Sequence, residues 1–123
     1  NDLAVGAYTP YKFVICGENC RAPGYITEKI VSAMLAYAIP IYLGAEDIAE
    51  HFNPRSFLDA GRMSPADLVA TVRHLDTDDA AYAAMLAEPW FPGNALPPVF
   101  APNTEVIEGI ARLAVRPGIS THV

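Results

Sequence analysis

Residues 30–41 form an almost wholly apolar run, and this run constrains the fold more than any other feature of the sequence. Wound as a helix, the run places apolar side chains on both sides, with Met34 on one side and Leu35 on the other. A helix that is apolar all round is buried. The run is also far shorter than the roughly 20 residues that a membrane span requires. It therefore predicts a core helix over residues 28–38, packed between the layers of a domain.

Short segments rich in β-forming residues flank this helix. Residues 13–16 and residues 39–43 are typical of buried strands, and Pro40 falls at the entrance of the second, where its missing N–H costs least. A strand, a helix and a second strand joined by a crossover of about twenty residues are the pattern of a parallel βαβ unit. A short helix over residues 46–52 and a third strand over residues 56–58 continue the pattern. The sequence thus predicts an α/β fold with a parallel sheet and flanking helices.

Two further helices are expected after the third strand. Ser64 followed by Pro65 matches a helix start with an N-cap serine and proline at the first helical position. The next helix is expected to open at Asp76 or Thr77 and to end near residue 88. Proline then punctuates an irregular connection, and helical character returns over residues 104–115.

The length of 123 residues leaves room for one domain only. We divide the chain into residues 1–88, a partial α/β domain, and residues 89–123, a proline-rich connection with a C-terminal helix. Parallel sheets are usually covered on both faces and have more than three strands. We therefore expect either that further strands precede Asn1 or that a second copy completes the sheet, since an unpaired strand edge promotes association.

Composition and charge exclude several functions. Hydrophobic residues make up 52% of the chain and charged residues 18%, so a packed core is expected rather than disorder. The net charge is −6 and the only lysines are Lys12 and Lys29, which argues against nucleic acid and anionic membranes as partners.

Cys16 and Cys20 cannot form a zinc site alone, and free thiols in a reducing compartment are favoured over a disulfide across so short a loop.

An acidic and a basic residue stand together at the expected start of the core helix. Thr27 is the predicted N-cap, which places Glu28 and Lys29 in the first turn. A cation there is disfavoured by roughly 0.3–1 kcal/mol, whereas a bound anion would be favoured. Lys29 therefore either holds an anion such as phosphate or simply extends its ammonium group into water.

Three motifs occur in order: a Glu-Asn pair at residues 18–19, Tyr-Ile-Thr-Glu-Lys at residues 25–29, and Pro-Ile-Tyr-Leu-Gly at residues 40–44. Together with residues 52–58 and 76–82, they resemble the donor-binding half of the α1,3-fucosyltransferases, glycosyltransferase family 10. The resemblance covers about residues 10–86. It implies a Rossmann-like parallel sheet with flanking helices, part of a GT-B-type glycosyltransferase, with residues 1–88 as a partial domain for GDP-fucose.

The same resemblance implies a role for five residues. Lys29 would hold the donor diphosphate, and Glu28 would bind hydroxyls of the ribose or the fucose. Tyr25 would contact the nucleotide, the backbone around Ile26 would line the pocket, and Asn19 would contact the donor near its phosphates or sugar. The alternatives are that Tyr25 covers the helix start, that Glu28 only compensates the helix dipole, and that Asn19 satisfies loop amides.

The resemblance also implies the reaction and what lies elsewhere. An enzyme of this family transfers L-fucose from GDP-fucose to an N-acetylglucosamine or glucose hydroxyl of a glycan, inverting the anomeric centre. A further basic residue, the acceptor domain and its catalytic carboxylate are expected upstream of Asn1, so no catalytic residue is assigned in this chain and the isolated chain should transfer fucose poorly. Gly17 departs from the bulky apolar residue that is usual in the family.

The expected partners are GDP-fucose and, through the missing domain, a glycan acceptor. A second copy of the chain is a further expected partner through the incomplete sheet. No metal or other cofactor is expected, because the acidic pair Asp78-Asp79 stands at a predicted helix start, where such residues are typical of capping. The expected location is cytoplasmic or membrane-peripheral in a bacterium, or Golgi in a eukaryote. Two alternative functions stay open: a non-catalytic, self-associating module, and a donor domain for another nucleotide sugar.

Overall fold

A computed structural model describes residues 2–94 and shows a three-stranded parallel sheet. The strands are β1 (Phe13–Gly17), β2 (Ile39–Leu43) and β3 (Leu58–Asp59), in the order β1-β2-β3. Ile15 lies opposite Ile41, which in turn lies opposite Leu58. The parallel pairing of β1 and β2 confirms the predicted βαβ unit.

The helices are α1 (Asp2–Tyr8), α2 (Lys29–Leu35), α3 (Ile48–His51), α4 (Pro65–Thr77) and α5 (Asp79–Ala87), with 3-10 turns at Ala60–Arg62 and Pro92–Asn94. The start of α4 is confirmed: the Ser64 hydroxyl accepts a hydrogen bond from the Asp67 amide at 3.1 Å, and Pro65 opens the helix. The next helix begins later than predicted, because the Asp78 carboxylate caps it by accepting from the Ala81 amide at 3.0 Å. The predicted helix over residues 104–115 lies outside the described residues.

The core helix α2 is shorter than predicted at both ends. It begins at Lys29 with Glu28 as the N-cap, and the predicted N-cap, Thr27, lies outside it. It ends at Leu35, because Tyr37 adopts a left-handed backbone conformation with φ of 58°. The Ala38 amide then donates to the Ala33 carbonyl at 3.1 Å, which closes the helix in a Schellman motif. The prediction that α2 is buried is confirmed over residues 30–34.

Three other elements have boundaries that differ from the predicted ones by one or two residues. β1 extends to Gly17, and α3 covers only Ile48–His51 rather than residues 46–52. The third strand is Leu58–Asp59 rather than residues 56–58. Ser56 is instead part of a turn, in which its amide and its hydroxyl both donate to the Asn53 carbonyl, at 2.9 and 2.6 Å.

Each face of the sheet carries its own apolar cluster. On one face, side chains of β1 and β2 pack against α2 and against four aromatic residues: Phe52, Phe57, Trp90 and Phe91. On the other face, Ile39 and Leu58 pack against Leu75 of α4, and partly buried residues of α5, such as Tyr82 and Met85, pack against this cluster. The cover is incomplete at β1, where Ile15 is 79% exposed. The helices of residues 2–94 include none that is long and apolar enough to cross a membrane.

Candidate functional site

The predicted site residues all lie in one connection, which begins at the carboxyl end of β1 and ends in the first residue of α2. Asn19 is two residues beyond the strand, and Tyr25, Ile26, Glu28 and Lys29 follow along the same connection. Ligands of parallel α/β sheets bind beyond the carboxyl ends of the strands. The chain therefore places all five residues on the side of the sheet where a ligand is expected.

The Lys29 side chain turns back towards the end of β1. Its Nζ donates a hydrogen bond to the Gly17 carbonyl oxygen at 2.9 Å and lies 4.0 Å from Glu18 Oε1. The side chain is 37% exposed. Lys29 is thus held at the rim of the sheet with part of its side chain open to solvent, and it does not extend freely into water.

The other lysine lies at the opposite end of β1. Lys12 Nζ is 3.0 Å from Asp76 Oδ1 and 4.6 Å from the centre of the Tyr82 ring. These contacts tie α4 and α5 to the start of the strand. Lys12 therefore has a structural explanation and serves as a natural comparison for Lys29.

The remaining predicted residues differ in exposure. Tyr25 is 42% exposed, and Asn19 and Glu28 are also exposed. Ile26 is half-buried and packs against the cluster that contains α2. The structure thus fixes Ile26 and Lys29 by contacts with the fold, and leaves Asn19, Tyr25 and Glu28 open to solvent.

Glu18, to which no catalytic role was assigned from the sequence, accepts three hydrogen bonds in this region. Its side chain is fully buried. Oε2 accepts from the Thr27 amide at 2.7 Å and from the Tyr42 hydroxyl at 3.2 Å, and Oε1 accepts from the Thr27 hydroxyl at 2.7 Å. We call Glu18, Thr27 and Tyr42 the Glu18 cluster. It joins the end of β1, the start of α2 and the end of β2.

Because Gly44 has no side chain, the side chains of Glu18 and Tyr42 can lie against its backbone. A Cβ at this position would lie 2.6 Å from the Tyr42 hydroxyl and closer still to Glu18 Cγ. The Tyr42 hydroxyl also accepts a hydrogen bond from the Ala45 amide at 3.1 Å. Burial, opposed by that hydrogen bond, raises the pKa of Tyr42, and the nearby Glu18 charge raises it further. The tyrosine therefore stays neutral, and its hydroxyl donates a hydrogen bond to Glu18 Oε2.

A second contact fixes the middle of the same connection. Asp47 Oδ1 accepts a hydrogen bond from the Gly24 amide at 2.9 Å, and Oδ2 lies 3.2 Å from His51 Nε2. Gly24 has φ of 75°, a conformation that glycine adopts most readily. The Gly24 amide, followed by His51, holds the pKa of Asp47 below its usual value.

Replacing Asp47 by asparagine is therefore expected to destabilise the chain in a pH-dependent way. A carboxylate with a lowered pKa in the folded state stabilises the fold above its unfolded pKa, and this stabilisation is lost as the pH falls through the folded pKa. We expect a loss of about 1 kcal/mol at pH 7 that shrinks below about pH 4. Urea unfolding of both proteins at several pH values measures it. An equal loss at every pH would contradict the role of the charge.

The two cysteines are both free and differ in environment. Cys20 is exposed, whereas Cys16 is buried and its pKa is raised to about 12, mainly by burial. Cys16 is therefore a core residue and not a nucleophile. Residues 2–94 contain no group of three or more His, Cys, Asp or Glu side chains that could hold a metal ion.

A cavity of about 210 Å³ lies at the end of β3; it is lined by Arg21, Glu46, Asp59, Gly61 and Arg62. Arg21 Nε donates to the Gly44 carbonyl at 3.1 Å, and Arg62 Nε lies 3.6 Å from Asp59 Oδ2. The cationic and anionic side chains around the cavity thus balance one another.

A parallel sheet with flanking helices, and with a lysine held at the carboxyl end of a strand, is typical of the α/β domains that bind ligands at this edge. Comparison with known proteins makes the class specific. Residues 2–88 match the model of the C-terminal part of glycosyltransferase family 10, the fucosyltransferases. The chain belongs to this family.

Two curated relatives illustrate the match. A putative fucosyltransferase of Acanthamoeba polyphaga mimivirus is 39% identical over 90 residues, which are 72% of this chain and 15% of the relative. The α-(1,3)-fucosyltransferase of Helicobacter pylori is 40% identical over 79 residues, which are 63% of this chain and 16% of the relative. The chain thus spans less than a fifth of the length of these relatives.

Solved structures of α1,3-fucosyltransferases share the fold. The structure with GDP has a TM-score of 0.66 and 29% identity, covering 89% of this chain and 34% of the other. The structure with GDP-fucose has the same TM-score and identity, covering 88% and 34%. The predicted fold class, a Rossmann-like parallel sheet with flanking helices in a GT-B-type glycosyltransferase, is confirmed.

Proposed function

We propose that this chain is the GDP-fucose-binding part of an inverting fucosyltransferase that acts on a glycan. The observation that carries the proposal is the Lys29 ammonium group, which is held at the carboxyl end of β1 and partly exposed, in a chain of the fucosyltransferase family. An ammonium group supplies three donors and a positive charge, both of which suit a diphosphate. Lys29 would hold the phosphates and stabilise the GDP leaving group as the sugar is transferred.

The other predicted residues complete the proposed donor site. The exposed Glu28 would bind ribose or fucose hydroxyls, and its charge would stabilise the positive charge that develops on the sugar. Tyr25 would contact the nucleotide, Asn19 would contact the donor near its phosphates or sugar, and the backbone at Ile26 would form part of the pocket wall. The support is that these residues share one connection, which the Glu18 cluster and Asp47 hold against the sheet.

Transfer needs an acceptor and a general base, and we assign neither to this chain. The chain covers about a third of the solved fucosyltransferase with GDP, 34%. We therefore propose that the 123 residues bind the donor but transfer fucose poorly by themselves. The proposal involves no metal or other cofactor, because Lys29 takes the role of the cation at the diphosphate.

Calorimetric titration with GDP, GDP-fucose, GDP-mannose and UDP-sugars tests the proposal. We expect heat with the guanine nucleotides and none with the UDP-sugars at the same concentrations. Tighter binding of a UDP-sugar would contradict the fucose assignment and favour a different donor.

One alternative has an observation in its favour. Ile15 is 79% exposed on β1, and β2 is the one strand that pairs with β1 in residues 2–94. Such an edge suits a self-associating module that no longer binds nucleotide. The absence of heat with every nucleotide, together with a concentration-dependent mass in sedimentation, would favour that module.

A further inference from the structure

We propose that Glu18 is a positioning residue for the diphosphate-binding Lys29. In this view the buried carboxylate sets the place and the direction of the ammonium group but does not itself touch the donor. This inference rests on the proposed function, because it assigns a purpose to the geometry of Lys29. Its test is therefore built to fail separately from that function.

The hydrogen bonds of Glu18 fix the backbone just before Lys29. Both oxygens of the carboxylate hold Thr27, one through the amide and one through the hydroxyl, each at 2.7 Å. Only two peptide bonds separate Thr27 from Lys29, so a shift of Thr27 moves the origin of the lysine side chain. The α2 helix cannot fix that origin alone, because Lys29 is its first residue.

The charge of Glu18 acts on the other end of the lysine. Oε1 lies 4.0 Å from Lys29 Nζ, and the Gly17 carbonyl, one residue before Glu18, accepts the hydrogen bond from Nζ at 2.9 Å. The backbone and the side chain at the end of β1 therefore draw the ammonium group to one place. Because the Lys29 side chain is 37% exposed and one hydrogen bond uses only one of its three donors, a further acceptor can approach the ammonium group.

The cost of burying a charge argues against a purely structural role. Removing a carboxylate from water costs several kcal/mol. A glutamine would meet the same hydrogen-bonding needs: its oxygen would accept from the Thr27 amide and the Tyr42 hydroxyl, and its amide would donate to the Thr27 hydroxyl, which can rotate to accept. Only the negative charge serves Lys29. The choice of glutamate rather than glutamine at this position is thus explained by the lysine and not by the hydrogen bonds.

The test loosens Glu18 without removing it, since Glu18→Ala would leave three donors, two on Thr27 and one on Tyr42, without their acceptor. Thr27→Val deletes the hydroxyl held by Oε1 and keeps the shape. The same hydroxyl oxygen lies 3.5 Å from the Lys29 amide nitrogen, which is too far for a strong hydrogen bond, and Thr27→Ser restores the hydroxyl. Thr77→Val is the matched control, because the Thr77 hydroxyl donates to the Arg73 carbonyl at 2.8 Å in α4. The proteins are compared by NMR, through the exchange rate of the Lys29 ammonium protons with water and through titrations with GDP and with guanosine.

We expect Thr27→Val to speed the exchange of the Lys29 ammonium protons and to weaken GDP about 5-fold, the value of one lost hydrogen bond. Guanosine, which has no phosphate, should bind Thr27→Val as it binds the wild type, and Thr27→Ser and Thr77→Val should match the wild type with both ligands. An equal loss of GDP and guanosine, or unchanged ammonium exchange, would overturn the positioning role. The exchange rate needs no ligand, so it decides this point even if the wild type fails to bind GDP, a result that would count against the proposed function alone.

Discussion

Lys29→Ala is expected to weaken GDP binding about 10- to 100-fold while the chain stays folded. The reason is that charge-assisted hydrogen bonds to phosphate contribute about 1.5–3 kcal/mol, and alanine removes both the donors and the charge. Because the Lys29 side chain is 37% exposed and Lys29 is the first residue of α2, truncation leaves no large cavity. Calorimetry with GDP measures the affinity, and urea unfolding establishes that the fold is intact.

Lys12→Ala is the matched control for this experiment. It removes the same charge from the same chain, but Lys12 precedes β1 and Lys29 lies at the far end of that strand, roughly 15 Å away. Salt largely screens exposed charges at that distance. We expect Lys12→Ala to lose some stability, through its contact with Asp76, and to keep GDP affinity within about 2-fold. Equal losses of affinity in the two variants would show that Lys29 does not contact the phosphates.

Gly44→Ala is expected to destabilise the fold by about 1–3 kcal/mol, the usual cost of overpacking a buried site. The added methyl group would lie 2.6 Å from the Tyr42 hydroxyl and nearer to Glu18 Cγ. Tyr42 is fully buried and cannot move aside without disturbing the core. The Glu18 cluster would therefore separate, and the start of α2 would lose its attachment to the sheet. Urea unfolding measures the change in stability.

Gly61→Ala provides a comparison with a similar steric conflict. Its Cβ would lie 2.7 Å from Arg21 Nη2, which is the tip of a flexible and exposed side chain. The arginine can move away, so the loss should stay within about 0.5 kcal/mol, as for ordinary surface substitutions. A Gly44→Ala protein as stable as Gly61→Ala would mean that the Glu18 cluster adapts easily and does not hold α2 in place.

The elements that the sequence predicts well are those whose burial follows from a simple pattern. β2 has the predicted bounds, residues 39–43, because a continuous apolar run between turn residues is typical of a buried parallel strand. The burial of α2 was predicted for the same kind of reason. Its end was not, because Tyr37 adopts a conformation that glycine usually provides, and a tyrosine at that position gives no sign of it.

Only one part of the candidate site was predicted, namely the part whose position follows from the order of elements along the chain. The place of Lys29 at the carboxyl end of β1 follows from chain order in a βαβ unit, so a sequence motif is sufficient to predict it. The partners of Glu18 were not predicted, because Thr27 and Tyr42 are far from it in sequence and meet it only when the sheet forms. One signal was present: an acidic residue directly after a buried strand needs a partner. The identity of that partner depends on the register of β1 and β2.

After α5 the chain returns to the core, so the packed unit extends beyond the last long helix. The family match stops at residue 88, but Trp90 and Phe91 are buried, and the Phe91 ring lies 5.2 Å from that of Phe52. The backbone takes part as well, since the Asn53 amide donates to the Trp90 carbonyl at 2.8 Å. The family match thus ends before the packed core does. A polypeptide cut after residue 88 would lack Trp90 and Phe91, and its core would contain a gap the size of two aromatic side chains.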